Sequence, residues 1–143
     1  MMQLIPRLRQ TTPRKFILLP RLLAGVPLVV FSAMHFMNPQ HFRDILTAGG
    51  MPMVEVNVWA ASLAEMLGGV LLLTGFLGRV GGLLGVGTMV PAILTTVRLA
   101  SLPDAPMVPP LPMPIMVLVA SAIVLVLGGG AWSVDARRNE SCG

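Results

Sequence analysis

The sequence predicts an all-α integral membrane protein, a four-helix bundle formed by one domain over residues 1–143. Three observations predict it. The chain is 55% hydrophobic and only 11% charged, where a soluble domain carries about 25% charged residues. Four apolar stretches approach the roughly 20 residues that a membrane helix needs. Most of the ten Lys and Arg residues fall on one side of those stretches. So little polar material cannot cover a water-facing surface, which excludes a soluble domain, a disordered chain and a coiled coil.

The first predicted span covers residues 16–37. It starts after a basic segment (Arg7, Arg9, Arg14, Lys15) and contains Arg21, and Pro27 is expected to kink it. A cleavable leader over the first 32 residues is the rival reading. The long basic region, the interruptions at Arg21 and Pro27, and the lack of an Ala-x-Ala site argue against it. A short amphipathic run around His41-Phe42-Arg43-Asp44 follows and predicts an interfacial helix that ends at Gly49-Gly50.

The second and third spans are expected at 57–77 and 80–97, joined only by Gly78-Arg79. So tight a link forces an antiparallel hairpin. The third span should be kinked at Pro91. Six prolines between positions 103 and 114 predict an extended, stiff loop. The fourth span is expected at 112–130. With four spans, Arg79 and the tail residues Arg137 and Arg138 share a side with the basic N-terminal segment, leaving only Arg43 and Arg98 opposite. The positive-inside rule then places both termini in the cytoplasm.

Helices in lipid associate through close backbone approach and polar contacts. Gly68 and Gly69 in the second span and Gly81 and Gly85 in the third are therefore expected to pack the bundle. Arg79 and Asp135 are expected to form a structural ion pair at the cytoplasmic edge. Trp59 and Trp132 read as interfacial anchors, and the eleven methionines as apolar filling.

Glu65 is the strongest chemical lead. A carboxylate at membrane depth is costly unless it is paired, protonated or wet. It shares a helix face with Ser62, Gly68, Gly69 and Leu72, so it should point inward. It reads either as a proton-handling or ligand-binding group, or as a structural partner for an interior Arg or His. Arg21 and His35 lie about 40° apart around the first span. Glu65 falls between them in depth, roughly 10 Å from each on straight helices. One expectation is a polar track of Arg21, Glu65 and His35. The other is that Arg21 snorkels to the cytoplasmic headgroups and His35 sits at the outer interface.

Other chemistries find little support. The lone Cys142 cannot form an internal disulfide. His35 and His41 belong to no metal-spaced cluster, so no metal is expected. The basic residues are not interleaved with aromatics, so nucleic acid is not an expected partner. No phosphate-loop, dinucleotide or zinc-hydrolase motif occurs.

Several segments resemble the DoxX family of membrane proteins. Pro20-Arg21-Leu22-Leu23-Ala24-Gly25 and His35-Phe36-Met37-Asn38-Pro39 are similar to its first helix. Ala64-Glu65-Met66-Leu67-Gly68-Gly69, with Thr74-Gly75 and Arg79, resembles its most recognisable stretch. Gly128-Gly129-Gly130 with Ser133 and Asp135 is similar to its C-terminal motif. The resemblance implies four transmembrane helices in a bacterial-type inner membrane. Some relatives are subunits of a thiosulfate:quinone oxidoreductase, and others associate with redox and thiol-stress enzymes. Many members carry a Gly-x-x-Lys near the end of helix one, where this chain reads Met34-His35-Phe36-Met37.

The resulting expectation is a redox-associated membrane subunit, in contact with the bilayer and a soluble or membrane redox partner. It would touch quinone through Glu65, Arg21 and His35. A partner-binding scaffold and a small-solute or proton pathway stand as alternatives.

Overall fold

The computed structural model describes residues 15–130 and Ser133. A 3₁₀ turn, Lys15–Ile17, leads into five helices: α1 Leu18–Met37, α2 Pro39–Ala48, α3 Val54–Thr74, α4 Gly78–Leu99 and α5 Pro112–Leu127. The described residues contain no strand.

Helix boundaries follow local chemistry. Asn38 separates α1 from α2, and its side chain accepts from the His41 amide at 3.2 Å, with Pro39 at the first helical position. α2 stops at Gly49, and Gly50 turns the chain at φ +67°. This is the short amphipathic helix expected from the sequence. The link between the long hairpin helices is Gly75-Phe76-Leu77 rather than the expected Gly78-Arg79. Gly75 adopts φ +67°, which ends α3 early, and Gly78 and Arg79 already lie in the first turn of α4. A side chain at Gly75 would also strike the Arg21 guanidinium at 2.6 Å.

Residues 103–110 carry no helix and run to α5, as the prolines predict. Pro112 occupies the start of α5. Gly128 at φ 82° ends that helix three residues before the expected limit of 130. At 16 residues, α5 is about 24 Å long. Three helical segments, Lys15–Met37, Val54–Thr74 and Gly78–Leu99, are long and apolar enough to cross a membrane.

α1 packs on α3 and α5, and α4 packs on the same two helices, so the four long helices form a closed ring. The core inside it includes Ala24, Leu28, Leu72, Met89, Val117 and Val124. Outward faces are also apolar: Leu22, Val26, Leu63, Leu67, Leu83, Val90, Val119 and Val126 are all exposed. A band of that kind suits lipid and not water.

Small residues bring the helices together. A Cβ on Gly69 would lie 3.0 Å from the Gly25 carbonyl oxygen. One on Gly81 would lie 3.1 Å from the Gly68 carbonyl, and one on Gly85 would overlap Ser121. The four predicted packing glycines all sit at helix contacts. Ser32 adds a 2.7 Å hydrogen bond to the Ser62 carbonyl, tying α1 to α3. α2 lies across one end of the ring, where Phe42 and Leu46 form a second apolar cluster with Val58.

Candidate functional site

Two antiparallel helices set the site. Gly25 lies against Gly69, and Ser32 bonds to Ser62. In this register Glu65 is level with Val29, and His35 is level with Trp59. The two backbones are thus about 9 Å apart along the axes. Side chains lean toward the N-terminus of their own helix. In an antiparallel pair, His35 therefore leans toward Glu65 while Glu65 leans toward His35. Their inner atoms, His35 Nδ1 and Glu65 Oε2, meet at 3.1 Å, with side chains 21% and 5% exposed. The two atoms do not align for a regular hydrogen bond, and neither has another hydrogen-bond partner among the described residues.

The imidazole also stacks on Phe42 of α2, with ring centroids 3.7 Å apart and planes 3° apart. The Asn38-Pro39 turn folds Phe42 back over His35. The sequence reading missed Phe42 as a site residue, and that turn is the signal that marks it.

A cavity of about 120 Å³ opens beside the pair. Phe31 and His35 of α1, Glu65 of α3, and Met89 and Thr95 of α4 line it, with α2 and Pro109 of the proline loop as further walls. The volume has room for several waters or one small ring. The roof is tied down at several points. Arg98 donates to the Gly49 carbonyl at 3.1 Å, and His41 Nε2 lies 3.1 Å from the Met107 carbonyl. Arg43 pairs with Glu55 through Nε and, at 2.9 Å, through Nη2. Hydrogen bonding to Glu55 raises the Arg43 pKa above that of a free guanidinium. The pair is solvent-exposed, and such pairs contribute little.

Arg21 belongs to neither expected arrangement. It is 2% exposed, so it does not snorkel. It lies at the other end of the bundle from the pair, two turns beyond Glu65, and not in a track with it. Nε donates to the Leu72 carbonyl at 2.7 Å, Nη2 to Leu73 at 2.8 Å and Nη1 to Gly129 at 3.0 Å. The last turn of an α-helix leaves carbonyls without intrahelical partners. Arg21 collects two of them from α3 and ties them to the chain just after α5. Arg79 donates to the Val126 carbonyl at 3.4 Å. Its expected partner Asp135 lies outside the described residues, as does Trp132.

An apolar exterior, three helices long enough to span a bilayer and a polar pair between two of them define a multi-helix membrane protein. The DoxX family model matches residues 16–98, more than half of the chain, and the protein belongs to that family. No curated protein and no solved structure matches it significantly.

Proposed function

We propose that this DoxX-family protein is a redox-associated subunit of a bacterial-type inner membrane, and that the cavity beneath α2 takes a quinone headgroup. The observation that carries the reading is the 3.1 Å approach of His35 to Glu65 in the wall of a cavity lined mainly by apolar side chains. A quinone carbonyl requires a donor, and a quinol hydroxyl requires an acceptor. The imidazole and carboxylate supply both at one place. Apolar walls formed by Phe31, Met89 and Pro109 suit the rest of such a ring. When bound, a quinone supplies two-electron redox chemistry. The chain contributes hydrogen bonds at His35 and Glu65 and limits water access through its roof. Arg21 serves this site as part of the frame and does not touch the ligand.

The same reading includes α5 as a fourth span, with both termini cytoplasmic. Arg21 holds the start of α1, the end of α3 and the end of α5 at one end of the bundle. Lys15 and Arg79 lie at that end, and the positive-inside rule makes it the cytoplasmic one. The cavity then faces the outer half of the membrane, and a redox partner would meet α2 and the proline loop.

The test is titration of the full chain in lipid nanodiscs with a short-chain benzoquinone. Glu65→Gln is expected to weaken binding about tenfold, the equivalent of one charge-assisted hydrogen bond. Equal affinity in the variant, or no binding by the wild type, refutes the reading.

A further inference from the structure

Three threonines of α4 line the cavity: Thr88, Thr95 and Thr96. In a helix a threonine hydroxyl ordinarily satisfies itself by donating to the carbonyl one turn back. Thr88 does so, reaching the Leu84 carbonyl at 3.1 Å, and Thr96 reaches the Ala92 carbonyl at 2.9 Å. Thr95 does not. Its side chain is buried, with the residue 4% exposed, and its Oγ1 has no hydrogen-bond partner among the described residues. The methyl group of Thr95 packs against the roof, where a Cβ on Gly49 would lie 2.5 Å from Thr95 Cγ2.

A buried hydroxyl without a partner is rare in a folded protein and calls for an explanation, such as a ligand that would pair with it. We propose that Thr95 is a second anchor of the cavity, and that the cavity recognises a ring carrying oxygen at two separated positions. One oxygen meets His35 and Glu65, contributed by α1 and α3. The other meets the Thr95 hydroxyl, contributed by α4 from a different wall. The inference rests on the quinone reading above and narrows it. A ring with two oxygens offers a partner to both anchors, whereas a ring with one oxygen leaves Thr95 unpaired. Leaving a buried polar group unpaired is the stronger of the two discriminating effects, because its desolvation is then uncompensated.

The experiment compares a short-chain benzoquinone with the phenol analogue that bears the same chain, in nanodiscs. The proteins are wild type, Thr95→Val, Thr95→Ser and Glu65→Gln, and the thermal midpoint of each is also measured without ligand. The wild type is expected to prefer the two-oxygen ring by about tenfold. Thr95→Val should erase that preference, and Thr95→Ser should restore it. Ligand-free Thr95→Val should be as stable as wild type or more so, because a hydroxyl with no partner is lost. A preference that survives Thr95→Val overturns the anchor. So does a lowered midpoint, which would reveal a structural partner for the hydroxyl. If binding depends on Glu65 but not on Thr95, only the anchor fails. If the wild type binds neither compound, the anchor and the quinone reading fail together.

Discussion

The imidazole of His35 lies flat on the ring of Phe42, 3.7 Å between centroids and 3° between planes. This contact joins α1, which reaches into the bundle, to α2, which covers its end. It also fixes the ring with Nδ1 toward Glu65. An aromatic pair contributes about 1 kcal/mol beyond its burial. Phe42→Leu keeps an apolar side chain there but removes the stack. In a His41→Gln background, Phe42→Leu should speed modification of His35 by diethyl pyrocarbonate severalfold. An unchanged rate would mean that Glu65 alone holds the ring.

The His35–Glu65 contact itself is open to a double-mutant cycle. Interhelical hydrogen bonds in membranes average about 0.6 kcal/mol and reach about 1.7. The 3.1 Å contact lacks regular hydrogen-bond alignment, so the coupling between His35→Ala and Glu65→Ala should lie near that average, about 0.6 kcal/mol. Equilibrium unfolding in mixed micelles gives the four stabilities. Strict additivity would show that the 3.1 Å approach adds nothing to the fold.

The inward face of α3 was legible because Glu65 shares it with Ser62, Gly68 and Gly69, and small residues must face neighbours in lipid. The short helix α2 was legible from its amphipathic run and the Gly49-Gly50 stop, and the helix-free segment before α5 from its prolines. Arg21 was not. Its partners are free carbonyls at Leu72 and Leu73, which exist only because Gly75 ends α3 there, and the carbonyl of Gly129, over a hundred residues away. No periodicity encodes that meeting. The roughly 10 Å that straight helices put between Glu65 and His35 matches the register of the two backbones, and long side chains are one way to close it. Their opposed lean closes the gap. Thr95 gave no signal because whether a hydroxyl finds a partner depends on the packed structure.

Arg21 carries the next expectation. Its guanidinium bonds carbonyls on two chain segments at once, a planar fork that a lysine ammonium cannot reproduce. Hydrogen bonds to charged groups contribute about 1.5–3 kcal/mol each. Arg21→Ala should cost about 3 kcal/mol or more, and Arg21→Lys should recover only a minor part. Folded yield and the unfolding midpoint in detergent report this. The Arg21→Lys protein that does fold should keep wild-type affinity at the cavity, two turns away. A selective loss of binding without a loss of stability would put Arg21 back into the ligand site.

The glycines of α4 separate packing from mere composition. Gly82 faces α5 so closely that an added Cβ would lie 2.7 Å from both the Leu125 nitrogen and the Ser121 carbonyl oxygen. Those are backbone atoms, which cannot swing aside, so the two helices must part. Overpacking of this kind costs about 1–3 kcal/mol. Gly87 is five residues further along the same helix, and a Cβ there would meet nothing within 4 Å. In a helix interior alanine is favoured over glycine by about 1 kcal/mol. Gly82→Ala should therefore lower the unfolding midpoint, while Gly87→Ala should leave it unchanged or raise it. Because the substitution and the helix are the same, the difference between the two variants isolates the α4–α5 contact. Equal effects would show that α4 and α5 do not approach as closely in the bilayer.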